Sequence, residues 1–301
     1  MKHLKAKNRG MGLSDKVFDR VSVIIMSAFT LVIIYPIFFV LIASNSDPNY
    51  IANGEVFFLP KGLNVDGYKA IFKDGKIWSG YYNSFLYAVL GTLIGVSATV
   101  CAAYPLSRPN LRFRKPLMLF FTVTMFINGG MIPTYIVIDK LQLMGTIWSI
   151  VLPTAVTAYN LIITRTFLQS TLPNELYEGA EIDGCGHVRF FFRILVPLST
   201  PIIAVLVLFA IVQMWNQYMQ PMLYLSEQEM YPLQVVLRGI LVQNTADVSM
   251  IEDAAMISEQ MKLAEKIKYA LIIIASLPVI SIYPLVQKHL VKGMMIGSVK
   301  G

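Results

Sequence analysis

The chain has 301 residues, 55% hydrophobic and only 14% charged, with a formal net charge of +7 and a mean hydropathy of +0.60. Globular domains carry about a quarter charged residues. A water-soluble fold of this size could not hide so much apolar surface, so the composition calls for a lipid bilayer as solvent.

Runs free of Asp, Glu, Lys and Arg follow in chain order at Val21–Ser44, Tyr81–Ser107, Pro116–Ile138, Leu141–Thr164, Ile194–Ser226 and Tyr269–Gln287. Each approaches or exceeds the roughly 20 residues that cross hydrocarbon as a helix. They predict an all-α polytopic membrane protein with six transmembrane helices in a single transmembrane domain. The strands of a β-barrel alternate over about 10 residues and give no such runs. The first run is longer than the about 7–15-residue apolar core of a signal peptide and is expected to stay as an anchor.

Basic residues set the orientation. Residues 1–20 hold Lys2, Lys5, Lys7, Arg9, Lys16 and Arg20, and the turn after the second run holds Arg108, Arg112, Arg114 and Lys115. Arg165, Arg189 and Arg193 bracket the segment 165–193, and Lys288, Lys292 and Lys300 lie in the tail 288–301. These four segments share one side if six spans alternate, and they hold 16 of the 25 basic residues. The positive-inside rule makes that side cytoplasmic, both termini included. The cations are scattered over short loops, so no nucleic-acid partner is expected.

The segments 45–80 and 227–268 then face outward. The first, with "SDPNYIANGEVFFLPKGLNVDGYKAIF", reads as turns and short helices. In the second, Ser249 and Glu252 have capping-box spacing. Met250, Ala254, Ile257, Met261 and Ala264 recur at three to four residues. An amphipathic helix feeding the last span is expected there, with a helix lying on the membrane surface as the alternative. "INGGMIP" interrupts the third run at Gly129, Gly130 and Pro133, and Pro36, Pro153, Pro278 and Pro284 fall in other runs. Such breaks suit a cavity-lined path, or are ordinary kinks. Cys101 and Cys185 lie in different environments, so no disulfide is expected. Nor is there a metal-ligand spacing.

One polar insert interrupts the apolar sequence: "ELYEGAEIDGCGHVRFFFRILVP", Glu175–Pro197. Pro173 suits a helix start and Glu175 a first turn. "GCG" supplies backbone freedom for a sharp turn near Gly184. A second short helix over His187–Leu195, with Phe190, Phe191 and Ile194 on its apolar face, is expected to run into the fifth span. The alternative is a solvated loop.

The spacing of Glu178, Gly179, Ala180, Gly184, Ile194, Val196 and Pro197 resembles the EAA loop of ABC-importer permeases. That pattern is Glu-Ala-Ala, three residues, Gly, nine residues, Ile-x-Leu-Pro. The departures are Gly179 for Ala, which costs a helix roughly 1 kcal/mol, and Val196 for Leu. "AAYPLSR", "MIPTYIVIDKLQLMGTIWSIVLP", "QMWNQYMQPMLYL" and "YPLVQKHLVKGMMIGSVKG" extend the likeness over almost the whole chain. They are similar to maltose-type carbohydrate permeases, most of all those of Gram-positive oligosaccharide importers.

The resemblance implies a type I ABC importer permease fold with a cytoplasmic coupling helix. It implies a bacterial cell membrane, a second homologous permease, two cytosolic ATPase subunits and an extracellular solute-binding protein. Glu178, Gly179, Ala180, Asp183, Gly184 and Pro197 would form the ATPase-coupling contact, and the tail "GMMIGSVKG" would reach toward the ATPases or fray. The cargo implied is a carbohydrate, an oligosaccharide with uronic acid units among the options.

No GxxxxGK[ST], HExxH or GxSxG occurs in the sequence, so no enzyme activity is expected. The chain should need no cofactor of its own, ATP and Mg being bound by the partner ATPase. Asn128, Asn160, Gln213, Trp215, Asn216 and Tyr218 are candidates for a substrate path, or serve as polar glue between helices. A secondary transporter or channel without an ATPase is the alternative function. Against it, the runs hold no mid-span carboxylate, Lys or His of the kind proton coupling uses.

Overall fold

The structure, a computed structural model, describes residues 13–249, 264–265, 267–282 and 284. Lys2, Lys5, Lys7, Arg9, most of the amphipathic stretch after Ser249 and the tail "GMMIGSVKG" lie outside the described residues. Among the described residues the regular structure is helical and no strand forms. The chain divides into two compact units, residues 1–71 with 244–273 and residues 72–243 with 274–301.

In the first unit, α1 spans Leu13–Ala43 with a long apolar surface left open. Phe39, Ile42 and Ala43 at its end pack with Ile51, Val56 and Tyr269. α2, Pro48–Ala52, starts where Asp47 accepts a hydrogen bond from the Asn49 amide at 2.9 Å and Pro48 presets the first turn. α3 follows at Asp66–Lys73. Its Tyr68 hydroxyl donates to Ser44 Oγ at 2.7 Å.

The pillar of the second unit is α4, Gly75–Ser107, capped by Asp74 on the Lys76 amide at 2.9 Å. α5 (Arg114–Phe126), α6 (Met131–Lys140), α7 (Trp148–Val151) and α8 (Ala158–Thr171) follow. Then come α9 (Asn174–Ile182), α10 (His187–Phe190), α11 (Val196–Leu198), α12 (Thr200–Trp215) and α13 (Met219–Tyr224). α14 is Leu233–Ser249 and α15 is Ile267–Ile282, which belongs partly to each unit.

α4 packs against α8 and α12 around Val100, Ala103, Leu106, Leu161, Leu168 and Leu206. Small residues set the approach. A Cβ on Gly91 would stand 2.5 Å from the Met214 side chain, and one on Gly95 would stand 2.6 Å from the Ala155 carbonyl oxygen. This is the four-residue glycine spacing by which membrane helices come close.

Among the described residues two helices, α1 from Lys16 and α4, are long and apolar enough to cross a membrane unaided. Two further spans arise only if bent pairs count as one: α5 with α6, bent by 117°, and α10–α11 with α12, bent by 78°. α14 and α15 add shorter apolar helices.

Within the apolar runs the helices are interrupted. The run 116–138 breaks at Ile127–Gly130, within the expected "INGGMIP" interruption, with Gly130 at φ +82° and Pro133 already inside α6. The run 141–164 is not one helix either. Gln142 and Gly145 take positive φ, Pro153 follows, and extended Thr157 caps α8. The run 194–226 bends at Ser199 and its main helix stops at Trp215. Conversely, α4 begins six residues before Tyr81, because Asp74 supplies the cap.

Candidate functional site

The insert folds around one left-handed residue. α9 ends at Ile182, and Gly184 takes φ +73°. The Cys185 amide donates to the Ala180 carbonyl at 2.8 Å and the Gly184 amide to the Glu181 carbonyl at 3.0 Å. These are the two bonds of a Schellman closure, which satisfy orphan carbonyls at a helix end and favour glycine at the turning residue. Ala180 and Cys185, the residues these bonds bring together, are partly buried against the core cluster that includes Phe190.

α9 itself is thinly anchored, with no buried residue. Glu175, Glu178, Glu181 and Asp183 are all exposed, and so are Gly179 and Gly184. Ile182 is 86% exposed and Val188 73%, one on either side of the turn. The result is a projecting knob with an acidic surface and two unsatisfied apolar side chains.

Aromatic rings tie this knob to the end of α4. Tyr177 stacks on His187 at 5.6 Å, its hydroxyl 2.9 Å from His187 Nδ1, and meets the buried Phe190 edge-on at 5.3 Å. The Arg108 guanidinium stands 4.7 Å from the centre of the Tyr177 ring, 5.1 Å from that of Phe190 and 5.2 Å from that of Tyr104. Its Nε and one terminal nitrogen are buried without a hydrogen-bond partner among the described residues. Ring faces, rather than a carboxylate, hold this cation. Beside it, Arg165 Nε and Gln169 Nε2 of α8 donate to the Leu106 and Ser107 carbonyls at 3.4 and 3.2 Å. The last turn of α4 is therefore held by both α8 and the knob.

Beyond α10 the expected continuous helix His187–Leu195 is altered. Phe191–Leu195 form a π-helical turn, then α11 carries Pro197 and the chain bends at Ser199. Proline offers no amide to the preceding turn and its ring crowds the carbonyl four residues back. A wider turn before it relieves that crowding.

The candidate path residues do not form one cluster. Asn160 and Gln213 line a cavity of about 10 Å³ with Thr99 and Thr154. That is room for about one water, not a sugar. Asn128 is exposed, and its side-chain oxygen accepts from the Gly130 amide at 2.9 Å, shaping the α5–α6 break. Trp215 is 4% exposed, and its indole donates to the Ala275 carbonyl at 2.9 Å. Exposed Asn216 donates to the Val212 carbonyl at 2.8 Å. Tyr218 lies under the Arg238 guanidinium at 5.0 Å. Gln217, which is not among the sequence candidates, is buried, with Nε2 donating to Thr154 Oγ1 at 3.1 Å and Oε1 without a partner among the described residues.

The whole chain has a family. Residues 5–296 match the model of the binding-protein-dependent transport system inner membrane component. The chain belongs to that family. The permease is similar to the polygalacturonan/rhamnogalacturonan transport system permease YtcP of Bacillus subtilis (strain 168). The two are 37% identical over 289 residues, 96% of this chain and 100% of the relative. It is 36% identical to the protein LplC of the same organism, over 96% of each chain. The sn-glycerol-3-phosphate permease UgpE of Escherichia coli (strain K12) is 27% identical over 70% of this chain and 77% of its own. Among solved structures, a chain of a bacterial ABC transporter involved in import of the acidic polysaccharide alginate superposes with a TM-score of 0.80. It is 28% identical and covers 93% of this chain and 98% of that one. The permease is thus a membrane component of an ABC importer with the type I permease fold, a transport subunit whose described residues are helical and without strands.

Proposed function

We propose that this permease forms half of the path of an ATP-driven oligosaccharide importer, with uronate-containing oligosaccharides as the cargo. The relatives' names support the cargo: polygalacturonan and alginate are both polyuronates. A second homologous permease completes the path, two cytosolic ATPase subunits bind ATP and Mg, and an extracellular solute-binding protein delivers the sugar. Six crossings at the apolar runs 21–44, 81–107, 116–138, 141–164, 194–226 and 269–287 would put both termini and residues 165–193 in the cytoplasm, and the basic residues of those segments support that side.

In this reading the knob Glu178–Gly184 is the coupling helix. The observation that carries it is the Schellman turn, which projects an acidic surface with Ile182 and Val188 from a loop anchored to α4 and α12. The apolar pair would enter a cleft of the ATPase, and the carboxylates would meet cations around it. ATPase closure would then push α9. Tyr177 and Arg108 would pass the push to α4, and the chain through Pro197 would pass it to α12. The channel reading gives no reason for two large apolar side chains exposed on a polar loop.

A pull-down of the tagged chain from mild detergent tests this, with the native sequence against Gly184→Pro. Proline cannot take positive φ and has no amide for Glu181. The native chain should bring down an ATPase and a second permease, and the variant should lose only the ATPase. A native chain that comes down alone even after crosslinking would sink the proposal.

A further inference from the structure

A cleft of about 760 Å³ lies where the α4–α5 turn meets α8. Arg112, Arg114 and Lys115 come from the turn and the start of α5, and Arg165 comes from α8. No Asp or Glu lines the cleft. Among the described residues the ion pairs are Lys61–Glu55 and Lys69–Asp66, and both lie elsewhere. The rest of the lining includes Leu111, Pro116 and Met118, the last two at the edge of the third apolar run.

Four like charges around one hollow repel one another. Burial, and then the charge of Arg114, pull Arg165 below the usual guanidinium range. Arg165 cannot easily swing away, because its Nε donates to the Leu106 carbonyl. The start of α5 makes the balance worse. It has no side-chain cap and no acidic residue in its first turn, where Arg114 and Lys115 stand instead, whereas a helix N-terminus favours negative charge. An anion in the cleft would offset all of these terms. Glycerol and acyl carbons attached to that anion would find Pro116 and Met118 beside it.

We propose that this cleft is a binding site for an anionic phospholipid, with the phosphate among Arg112, Arg114, Lys115 and Arg165 and the acyl chains running along the α5 side. Basic pockets between spans on the cytoplasmic side hold such headgroups. The site adjoins the bond from Arg165 to the Leu106 carbonyl in the last turn of α4, so lipid bound there would brace the end of α4. The inference rests on the cytoplasmic placement of this turn proposed above.

The test is native mass spectrometry of the assembled transporter, equilibrated with mixed phosphatidylglycerol and phosphatidylcholine. The native complex should retain phosphatidylglycerol selectively. Retention should fall about fivefold for each cation removed, so Arg114→Gln with Arg165→Gln should nearly abolish it. If that pair fails to assemble, exposed Arg112→Gln alone decides, with the single fivefold loss expected. Equal retention by native and variant complexes would overturn the site. Displacement of the lipid by inorganic phosphate would reassign it to a free anion. Loss of the ATPase with lipid retention unchanged would make it a protein interface. Labelling of a cysteine at Asn110 by an impermeant maleimide in intact cells would refute the orientation, independently of whether lipid is retained.

Discussion

Gly184→Ala isolates the turn of the proposed coupling knob. A Cβ at Gly184 meets nothing within 4 Å, so the substitution creates no clash. What it meets is the φ of +73°, which costs an L-residue roughly 1–2 kcal/mol. The turn has little in reserve. Two hydrogen bonds close it, each contributing about 1 kcal/mol net. The nine-residue α9 has no buried residue, and a helix so short is marginal alone. If the ATPase docks only on the closed turn, apparent affinity falls with the closed fraction, so most of the cost should appear in binding. About 5- to 30-fold weaker ATPase binding is expected. Asn, which tolerates left-handed φ, should lose less. Gly186→Ala is the control, because Gly186 sits at φ −69° in open space. Gly179→Ala should strengthen docking, since it removes a helix-interior glycine worth about 1 kcal/mol and its Cβ also meets open space. The assay is titration of the ATPase onto the permease pair in nanodiscs, with spans checked by thermal melting. Equal affinity for the Gly184→Ala and Gly186→Ala variants would refute the reasoning.

Arg108→Met should leave the ATPase bound yet cut transport per ATP by roughly fivefold or more, the worth of a desolvated cation–π contact. Tyr177→Leu should do the same, and the two together no worse than either, measured in proteoliposomes. Gly95→Ala should lower thermal stability more than Gly91→Ala, because the Ala155 carbonyl is backbone while the Met214 thioether can move. Trp215→Phe should lower thermal stability by about 1 kcal/mol through the lost bond to Ala275, and should leave discrimination among sugars unchanged.

The features legible in the sequence were local ones. Pro173, Glu175 and "GCG" spelled out the start and the turn of α9, because caps and left-handed glycines act within a few residues. The apolar runs announced a membrane protein, but hydropathy measures the length of a greasy stretch and not its path. It could not show that 141–164 is split at Gly145 and Pro153, nor that Ser199 bends the fifth run by 78°. Arg108 read as a topological charge, because its ring partners Tyr177 and Phe190 lie far along the chain. The candidate path residues stand out in the sequence as polar or aromatic groups within apolar runs. Trp215 and Asn216 have that polarity met within the chain, which only packing reveals.

The joint at Arg108 also has an environmental consequence. An exposed salt bridge weakens as cytoplasmic salt rises, since exposed charges are screened beyond about 10 Å at 0.1 M. At this joint the buried nitrogens and the ring faces leave little room for mobile ions between the partners. If this joint carries the ATPase stroke as proposed, the linkage is insulated from osmotic stress, and a cell that meets it would keep its sugar yield per ATP while its ionic interior shifts.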